Sequence, residues 1–404
     1  MINVIGLGYI GLPTALMLAA HNNEVVGTDF NEKLVATLKD GKTTFEEKGL
    51  DELFDTAISK DITFTTEYIS TDKYIITVPT PYDKDNKKID PSYIISAVNS
   101  VLKVCKENTL LVIESTVSPG TIDKFVRPEI EKSKFSLGKN IHLIHAPERI
   151  LPGNMIHELK HNSRTIGADD VKQGMKLKKI YETFCESEIT ITDIKAAEMS
   201  KVIENTFRDI NIAFANELAK ICRFDNMDVY EIIRVANMHP RVNILNPGPG
   251  VGGHCISVDP WFLVGDYPEL TNIISTARYI NDSMPDFVLN RISEIMEEKG
   301  ITDKSKVGIY GLTYKQDVDD IRESPTLQLF ESMKKHLSNP LKSFDPMLKE
   351  KIVDNQILSF DEFLEETELV VVMVGHSHIK DNLSKLSGKV VFDTQNVVPN
   401  GIKL

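Results

Sequence analysis

The sequence predicts an α/β protein of two parallel-sheet domains joined by a long central helix. Three observations predict it. Short apolar runs rich in β-branched residues alternate with helical stretches from the first residue to about residue 115. The same alternation returns in the last third, from Lys306 to Phe392. Between the two lies a helical stretch, from about Asp193 to Phe224, that contains neither Gly nor Pro.

In the first alternating region Val4-Ile5 leads into a glycine turn and a helix through Ala20, and a second strand, Glu24 to Thr28, ends at Asp29. Strands follow at Tyr74 to Val78 and Leu110 to Ile113, and segments at Ile141 to Ile144 and Arg164 to Ile166 extend the sheet. After the central helix a second helical stretch runs to about Asn237. In the last region Lys306 to Tyr310 is a strand followed by Gly311, and Leu341 to Phe344 ends at Asp345-Pro346. Leu369 to Val374 and Lys389 to Phe392 complete a small sheet. The expected domains are residues 1–192, 193–295 and 296–404.

Composition bounds the function. A chain of 404 residues exceeds one ordinary core, and 41% hydrophobic with 26% charged residues is globular usage. A net charge of -13 argues against nucleic acid or an anionic membrane as the main partner. Cys105, Cys185, Cys222 and Cys255 are scattered, with no CxxC or Cys/His cluster, so a reduced cytoplasmic protein without disulfides or bound metal is expected. The chain opens on a strand, leaving no room for a signal peptide, and its longest apolar run is too short for membrane insertion.

Gly6-Leu7-Gly8-Tyr9-Ile10-Gly11 is a GxGxxG run. It follows a strand, opens a helix, and is answered 18 residues after Gly11 by Asp29 at the end of the second strand. That is the context of a Rossmann-like dinucleotide site. The glycines allow close approach to a pyrophosphate, and the helix N-terminus supplies amide donors. Asp29 would accept from ribose hydroxyls and repel a 2′-phosphate, which selects NAD over NADP. Val78-Pro79-Thr80-Pro81 and Glu114-Ser115-Thr116 end later strands, at the edge where such sheets bind ligands, although both could simply shape loops.

Asn246 to Cys255 holds four glycines and two prolines and ends on a cysteine; Asp259 follows four residues later. Such a loop, Gly252 included, lets backbone touch a ligand. Cys255 is poorly placed as a core filler, which is the reading for the other three cysteines. Glu198, Lys201, Asn205 and Arg208 fall on one face of the central helix, either as a solvated stripe or as a polar stripe facing a ligand. A cysteine with a lysine suits oxidation of an alcohol to an acid. The thiolate captures the aldehyde, the adduct is oxidised to a thioester, and water cleaves it. Lys201 would favour the thiolate and stabilise the oxyanions, while Asp259 orients water or takes a proton.

At these residues the chain resembles the UDP-glucose/GDP-mannose dehydrogenase family along nearly its whole length. The resemblance rests on GLGYIGLP at 6–13, VPTP at 78–81, EST at 114–116 and APERILPG at 146–153. It continues through AEMSKVIENTFRDINIAFANEL at 197–218, HPRVNILNPGPGVGGHC at 239–255 and GLTYKQDVDDIRESP at 311–325. It implies a UDP-sugar substrate, NAD as cofactor, and a homodimer through the central helix, whose Ile212, Phe214 and Leu218 exceed what one buried face needs. It implies Cys255 as nucleophile, Lys201 on the oxyanions, Asp259 in proton transfer, and Thr116 and Glu148 around a catalytic water. Glu148, Arg149 and Ile150 belong to a loop over the substrate, and Asn205 and Arg208 face it. His239 and Arg241 reach it across the dimer. Tyr314 and Lys315 engage the UDP side, and Arg322 reaches NAD. Val258 stands where the UDP-glucose and GDP-mannose members carry lysine, which places the chain with the N-acetylhexosamine branch. Within that branch the resemblance implies UDP-N-acetyl-D-mannosamine as the substrate, with its C2 epimer UDP-N-acetyl-D-glucosamine the alternative and UDP-glucose a remoter one. A two-electron hydroxyacid dehydrogenase would need neither Cys255 nor the second sheet domain, and a non-catalytic NAD-binding scaffold would not need the set of Cys255, Lys201 and Asp259.

Overall fold

A computed structural model describes residues 1–253, 255–335 and 341–404, and the side chain of Lys335 is not described. The chain folds as two compact units, Met1–Glu204 and Asn205–Leu404.

The first unit is built on an eight-stranded sheet: β1 (Ile2–Ile5), β2 (Val25–Thr28), β3 (Thr63–Thr65), β4 (Lys73–Ile76), β5 (Thr109–Ile113), β6 (Ile141–His145), β7 (Arg164–Ala168) and β8 (Ile189–Thr192). The spatial order is β3-β2-β1-β4-β5-β6-β7-β8. Every pairing is parallel except β6 with β7, which is antiparallel, Ile144 opposite Ala168 and His145 opposite Gly167. The inner strands are largely buried on both faces, which is why they read as continuous apolar runs, whereas β3 and β8 at the edges are partly exposed. Val4, Ile75, Leu110 and Val112 pack into one core layer, and Ile5, Tyr74, Ile76, Leu111 and Ile113 into the layer behind. The switch in strand order falls between β1 and β4, so the glycine turn after β1 lies at the crevice where the fold admits a ligand.

The second unit has a five-stranded, fully parallel sheet: β9 (Val307–Tyr310), β10 (Lys342–Phe344), β11 (Leu369–Val372), β12 (Val390–Asp393) and β13 (Ile402–Lys403), in the order β10-β9-β11-β12-β13. Its two faces also alternate: Val307, Ile309, Leu369 and Val371 join one cluster, Tyr310, Val370 and Val372 the other. The switch point here lies between β9 and β11.

The expected central helix is Ile194–Phe224, 31 residues long, and the second helical stretch is Val229–Ala236. Along the part of the long helix in the second unit, Phe207, Phe214 and Ile221 recur every seven residues and are about half exposed or more, with Phe224 exposed beyond them. Among the described residues no helix is long and apolar enough to cross a membrane.

Candidate active site

In the first unit the turn after β1 is held by sterics. Gly6 has φ +90°, and a Cβ there would touch the Thr77 carbonyl at 3.0 Å. A Cβ on Gly11 would fall 1.8 Å from the Gly6 oxygen and 2.2 Å from Thr77 Oγ1. Gly8 differs: a Cβ there would meet nothing within 4 Å. Gly8 therefore keeps a space open rather than relieving a clash. That space lies at the start of the helix Gly11–Ala20, whose Leu12 N–H already bonds to the Gly8 carbonyl at 3.1 Å. Asp29 is nearly buried, and its carboxylate accepts from Leu7 N at 2.7 Å and Asn31 N at 2.9 Å. One N–H to each oxygen leaves lone pairs for a diol. An open glycine, a helix N-terminus and a fixed carboxylate fit a dinucleotide's pyrophosphate and ribose. The Tyr9 ring lies tilted against Phe45 with centroids 4.5 Å apart, and Ile10 is partly buried against the core.

The next two strand ends are tied together. Thr80 Oγ1 donates to the Thr116 carbonyl at 2.7 Å, and Ser115 Oγ to the Val78 carbonyl at 2.7 Å. Beside them lies a buried charge cluster. Arg164, the first residue of β7, donates from Nη1 to Glu114 Oε1 at 3.3 Å and from Nη2 to Glu148 Oε2. Tyr181 Oη donates to Glu114 Oε1 at 3.0 Å, and Arg149 N to Glu148 Oε1 at 2.7 Å. Burial pushes the Glu114 carboxyl up to about 7; Arg164 opposes that and Glu148 adds to it. Glu114 Oε2 and Arg164 Nε have no partner among the described residues. The Arg149 guanidinium is committed to Glu204, the Ser163 carbonyl and Thr165, and Ile150 packs in the apolar core.

On the long helix Glu198 and Lys201 are buried. Glu198 accepts from Gly120 N at 2.7 Å and Ile122 N at 2.8 Å, and burial pushes its carboxyl up to about 7. Its role is thus to tie the loop after β5 to the helix.

In the second unit Asn205 is buried and donates from Nδ2 to Asp259 Oδ2 at 2.7 Å. The polar stripe is therefore mostly buried rather than solvated, with Arg208 as its exposed end. The glycine loop is clamped. A Cβ on Gly252 would meet the Glu323 carbonyl and Tyr314 Cβ, both at 2.7 Å, and one on Gly253 (φ +86°) would meet the Tyr314 ring at 2.7 Å. Gly253 N bonds to the Arg322 carbonyl at 2.9 Å. The Cys255 carbonyl accepts from Val258 N at 3.1 Å and Asp259 N at 2.8 Å, so the turn carrying the thiol runs straight into the helix Asp259–Asp266. Cys105, Cys185 and Cys222 are buried, while Cys255 is partly exposed. The fold thus brings Cys255, Asp259, Asn205, Gly252, Tyr314 and Arg322 into one unit, with Asn205 on Asp259 and the glycine loop on Tyr314 and the Arg322 backbone.

Lys315 lies just beyond β9, half-buried, and its carbonyl accepts from Thr313 Oγ1 at 3.1 Å. The Arg322 guanidinium forks onto Asp320, with Nη2 at 2.6 Å. Asp345, at the end of β10, accepts from Leu312 N at 2.6 Å, Thr313 N at 2.9 Å and Met347 N at 2.8 Å. His376, fully buried, receives the Asp317 N–H on Nδ1 at 2.9 Å, which leaves Nε2 to face Asp345 at 3.3 Å. The His376 imidazole holds the Asp345 carboxyl below its ordinary range against the opposing effect of burial. His239 and Arg241 are exposed, and Arg241 N bonds to His239 Nδ1 at 3.2 Å.

The sequence reading does not find the residues that hold Glu114 and Glu148: Arg164 shows only as the start of a strand, and Tyr181, which donates to Glu114, gives no signal. The available signal was a lone arginine opening an otherwise apolar strand, because such a charge needs a buried carboxylate.

Comparison with known proteins then gives a full-length match. Residues 1–185 match the NAD binding domain of the UDP-glucose/GDP-mannose dehydrogenase family, residues 195–283 its central domain, and residues 308–400 its UDP binding domain. A UDP-N-acetyl-D-mannosamine dehydrogenase of Methanococcus maripaludis is 43% identical over 99% of this chain and 93% of its own. An NDP-N-acetyl-D-galactosaminuronic acid dehydrogenase of Ralstonia nicotianae is 39% identical over 98% of this chain and 96% of its own. The solved UDP-N-acetyl-mannosamine dehydrogenase of Staphylococcus aureus superposes with a TM-score of 0.88 at 41% identity, covering 99% of this chain and 96% of that one.

Proposed function

The chain belongs to the UDP-glucose/GDP-mannose dehydrogenase family, and on that premise we propose that it oxidises the C6 hydroxyl of UDP-N-acetyl-D-mannosamine to the carboxylate through a covalent bond to Cys255. The observation that carries the chemistry is Cys255 itself. It is the partly exposed one of four cysteines, on a loop clamped by Tyr314 and the Arg322 backbone. The substrate reading is supported by relatives of that name at 43% and 41% identity along the whole chain.

NAD is the cofactor, and two molecules bound in turn would each take one hydride, one at the alcohol stage and one at the thiohemiacetal stage. Gly8 and the helix Gly11–Ala20 would hold its pyrophosphate and Asp29 its adenosine ribose; Tyr9, Ile10, Thr80, Thr116 and Arg322 are its further proposed contacts. The chain's own residues do the rest. The Cys255 thiolate, favoured by a cation and a helix N-terminus, adds to the aldehyde carbon and forms a C–S bond. Lys201 carries the charge of the resulting oxyanion. It is 6% exposed, and among the described residues no acceptor is paired with it, which suits a cation kept for an anion that comes and goes. After the second oxidation the carbon is a thioester. Water adds to it, gives a proton to Glu148 or Asp259, and the C–S bond breaks to return the thiolate. Asn205 orients Asp259 through its amide. Arg149, Ile150, Arg208, Gly252, Tyr314 and Lys315 are assigned to the sugar nucleotide, and His239 and Arg241 to the substrate of a partner subunit.

We also read the molecule as a cytoplasmic homodimer that supplies a uronate for surface polysaccharide. The exposed seven-residue stripe of Phe207, Phe214 and Ile221 supports the dimer, because a helix face of that kind needs covering.

The test is a panel of UDP-N-acetyl-D-mannosamine, UDP-N-acetyl-D-glucosamine, UDP-glucose and GDP-mannose with NAD, counting NADH per sugar. Two NADH per UDP-N-acetyl-D-mannosamine, with the other sugars slower, is expected. One NADH per sugar, or full net turnover by Cys255→Ser, would sink the covalent four-electron reading. A faster sugar elsewhere in the panel would reassign the substrate.

A further inference from the structure

We propose that Arg164 is a positioning residue for the hydrolytic step, holding the Glu148 carboxylate in one orientation with Glu114 and Tyr181 holding Arg164 in turn. The inference rests on the reading of Glu148 as the group that takes the proton from water.

The first support is topology. At the C-terminal edge of a parallel sheet, strands deliver their last residues. Arg164 is a first residue. It reaches that edge because β7 runs against β6, with His145 opposite Gly167. Continuing that register by three residues brings Arg164 level with Glu148. The second support is the fork. Arg164 spans two carboxylates from different strand ends, one amino group to Glu114 and the other to Glu148. A lysine, with one point charge, cannot fix both directions at once. With Arg149 N on the other Glu148 oxygen, the carboxylate is held at both atoms.

The third support is what the cluster leaves unsatisfied. Burying one cation between two carboxylates is a poor way to gain stability, and apolar residues commonly do as well. A cluster arranged for stability would saturate its atoms, yet Glu114 Oε2 and Arg164 Nε lack partners among the described residues. The one carboxylate engaged at both oxygens is Glu148. The Arg164 guanidinium is also boxed in, 4.4 Å from the Tyr181 ring centroid and 5.1 Å from that of Phe184. Glu114 and the two rings thus hold the guanidinium that reaches Glu148.

The step served is thioester cleavage. Water forms the C–O bond, its proton passes to Glu148, and the C–S bond breaks with the electron pair leaving on Cys255. Misplacing the accepting carboxylate by a fraction of its length is enough to cost about 100-fold in rate. The experiment compares Glu148→Gln, Arg164→Lys and Tyr181→Phe with the parent enzyme. The readouts are steady-state constants, NADH released in the first turnover, and mass spectrometry of Cys255 after acid quench. We expect Arg164→Lys to lower kcat about 100-fold, with KM values within about threefold, and to accumulate the acyl adduct on Cys255 after a burst of NADH. Tyr181→Phe should do the same to a smaller extent, about threefold to tenfold, and serves where Arg164→Lys fails to fold. The double variant Arg164→Lys/Glu148→Gln should be no slower than Glu148→Gln alone. If Glu148→Gln accumulates the adduct and both other variants do not, Arg164 is not its positioner. If Glu148→Gln itself accumulates nothing, the reading of Glu148 fails and takes this inference with it.

Discussion

At the ligand edge of the first sheet, Asp29 follows β2 and accepts the N–H of Leu7, the residue after Gly6, and of Asn31, two residues on. At the same edge of the second sheet, Asp345 follows β10 and accepts the N–H of Leu312, the residue after Gly311, and of Met347, two residues on. Gly6 and Gly311 have φ of +90° and +97°. The frame is the same; what surrounds the acid is not. In the first unit the glycine turn enters a helix at Gly11, and backbone amides are left to meet an anion. In the second the helix waits until Pro325, and Asp345 also takes Thr313 N and faces His376. There the acid braces the loop that carries Tyr314 and Lys315. An anion bound at that edge must be met by side-chain cations rather than by a helix end. One architecture thus presents free backbone amides at the first edge and a braced loop carrying Lys315 at the second, so the phosphate contacts proposed for the two edges differ in kind.

The largest effect should come from closing the first turn. Gly11→Ala places a methyl 1.8 Å from backbone, so it should cost more than about 3 kcal/mol in denaturant unfolding, whereas Gly8→Ala should keep the parent Tm and raise the KM for NAD about tenfold or more. A Gly8→Ala enzyme with unchanged NAD affinity would remove the distinction between the two glycines. Next, Asp345→Ala should lose stability, about 3 kcal/mol, by orphaning three N–H groups, while Asp29→Ala should chiefly weaken NAD and relax discrimination against NADP. Exchange of those two phenotypes would overturn the comparison. Smaller again, Lys315→Ala should raise the KM for the UDP-sugar about tenfold and leave that for NAD alone; equal effects on both would contradict a side-chain-built second site.

The smallest effect is a slope. The Glu114 carboxyl is raised to about 7 in the folded protein from an ordinary 4.5. Its contribution is therefore complete below about pH 4.5 and is lost as pH rises through 7. Glu114→Gln should flatten the fall of Tm between pH 5 and 8 by a few degrees relative to the parent. An identical slope in both proteins would place the ionisation elsewhere. The second unit has a buried counterpart in Arg278 with Asp209, whose carboxyl burial also raises, so the Glu114 contribution is read from the difference between variant and parent rather than from the parent slope alone.

Much of this was legible in the sequence because burial on both faces writes itself as an apolar run. The strand that ends at Asp29, the one that ends at Asp345 and the 31-residue helix all stand within a residue or two of where composition puts them. The short edge strands β3, β8 and β13 were not legible. Thr-Phe-Thr has too few residues to show a period, and β13 has only two. Glu198 sits on a stripe whose spacing leaves solvent and ligand both open, and spacing does not show the third outcome, a carboxylate that caps a neighbouring turn. His376 gave no signal because its partners lie 31 and 59 residues away in the chain. Nor does any period announce that β7 turns against its neighbour.

That reversal sets what insertions and deletions the chain can absorb. Within 151–162 only the exposed link at 153–154 can absorb a change of length, because the helix Met155–His161 that follows is anchored by the fully buried Met155 and Leu159, and the ladder rather than the link fixes which residues meet. One residue added inside Arg164–Ala168 is another matter. It would turn the guanidinium to the opposite side of the sheet and set a small neutral side chain against the glutamate, so a single codon there outweighs several in the link.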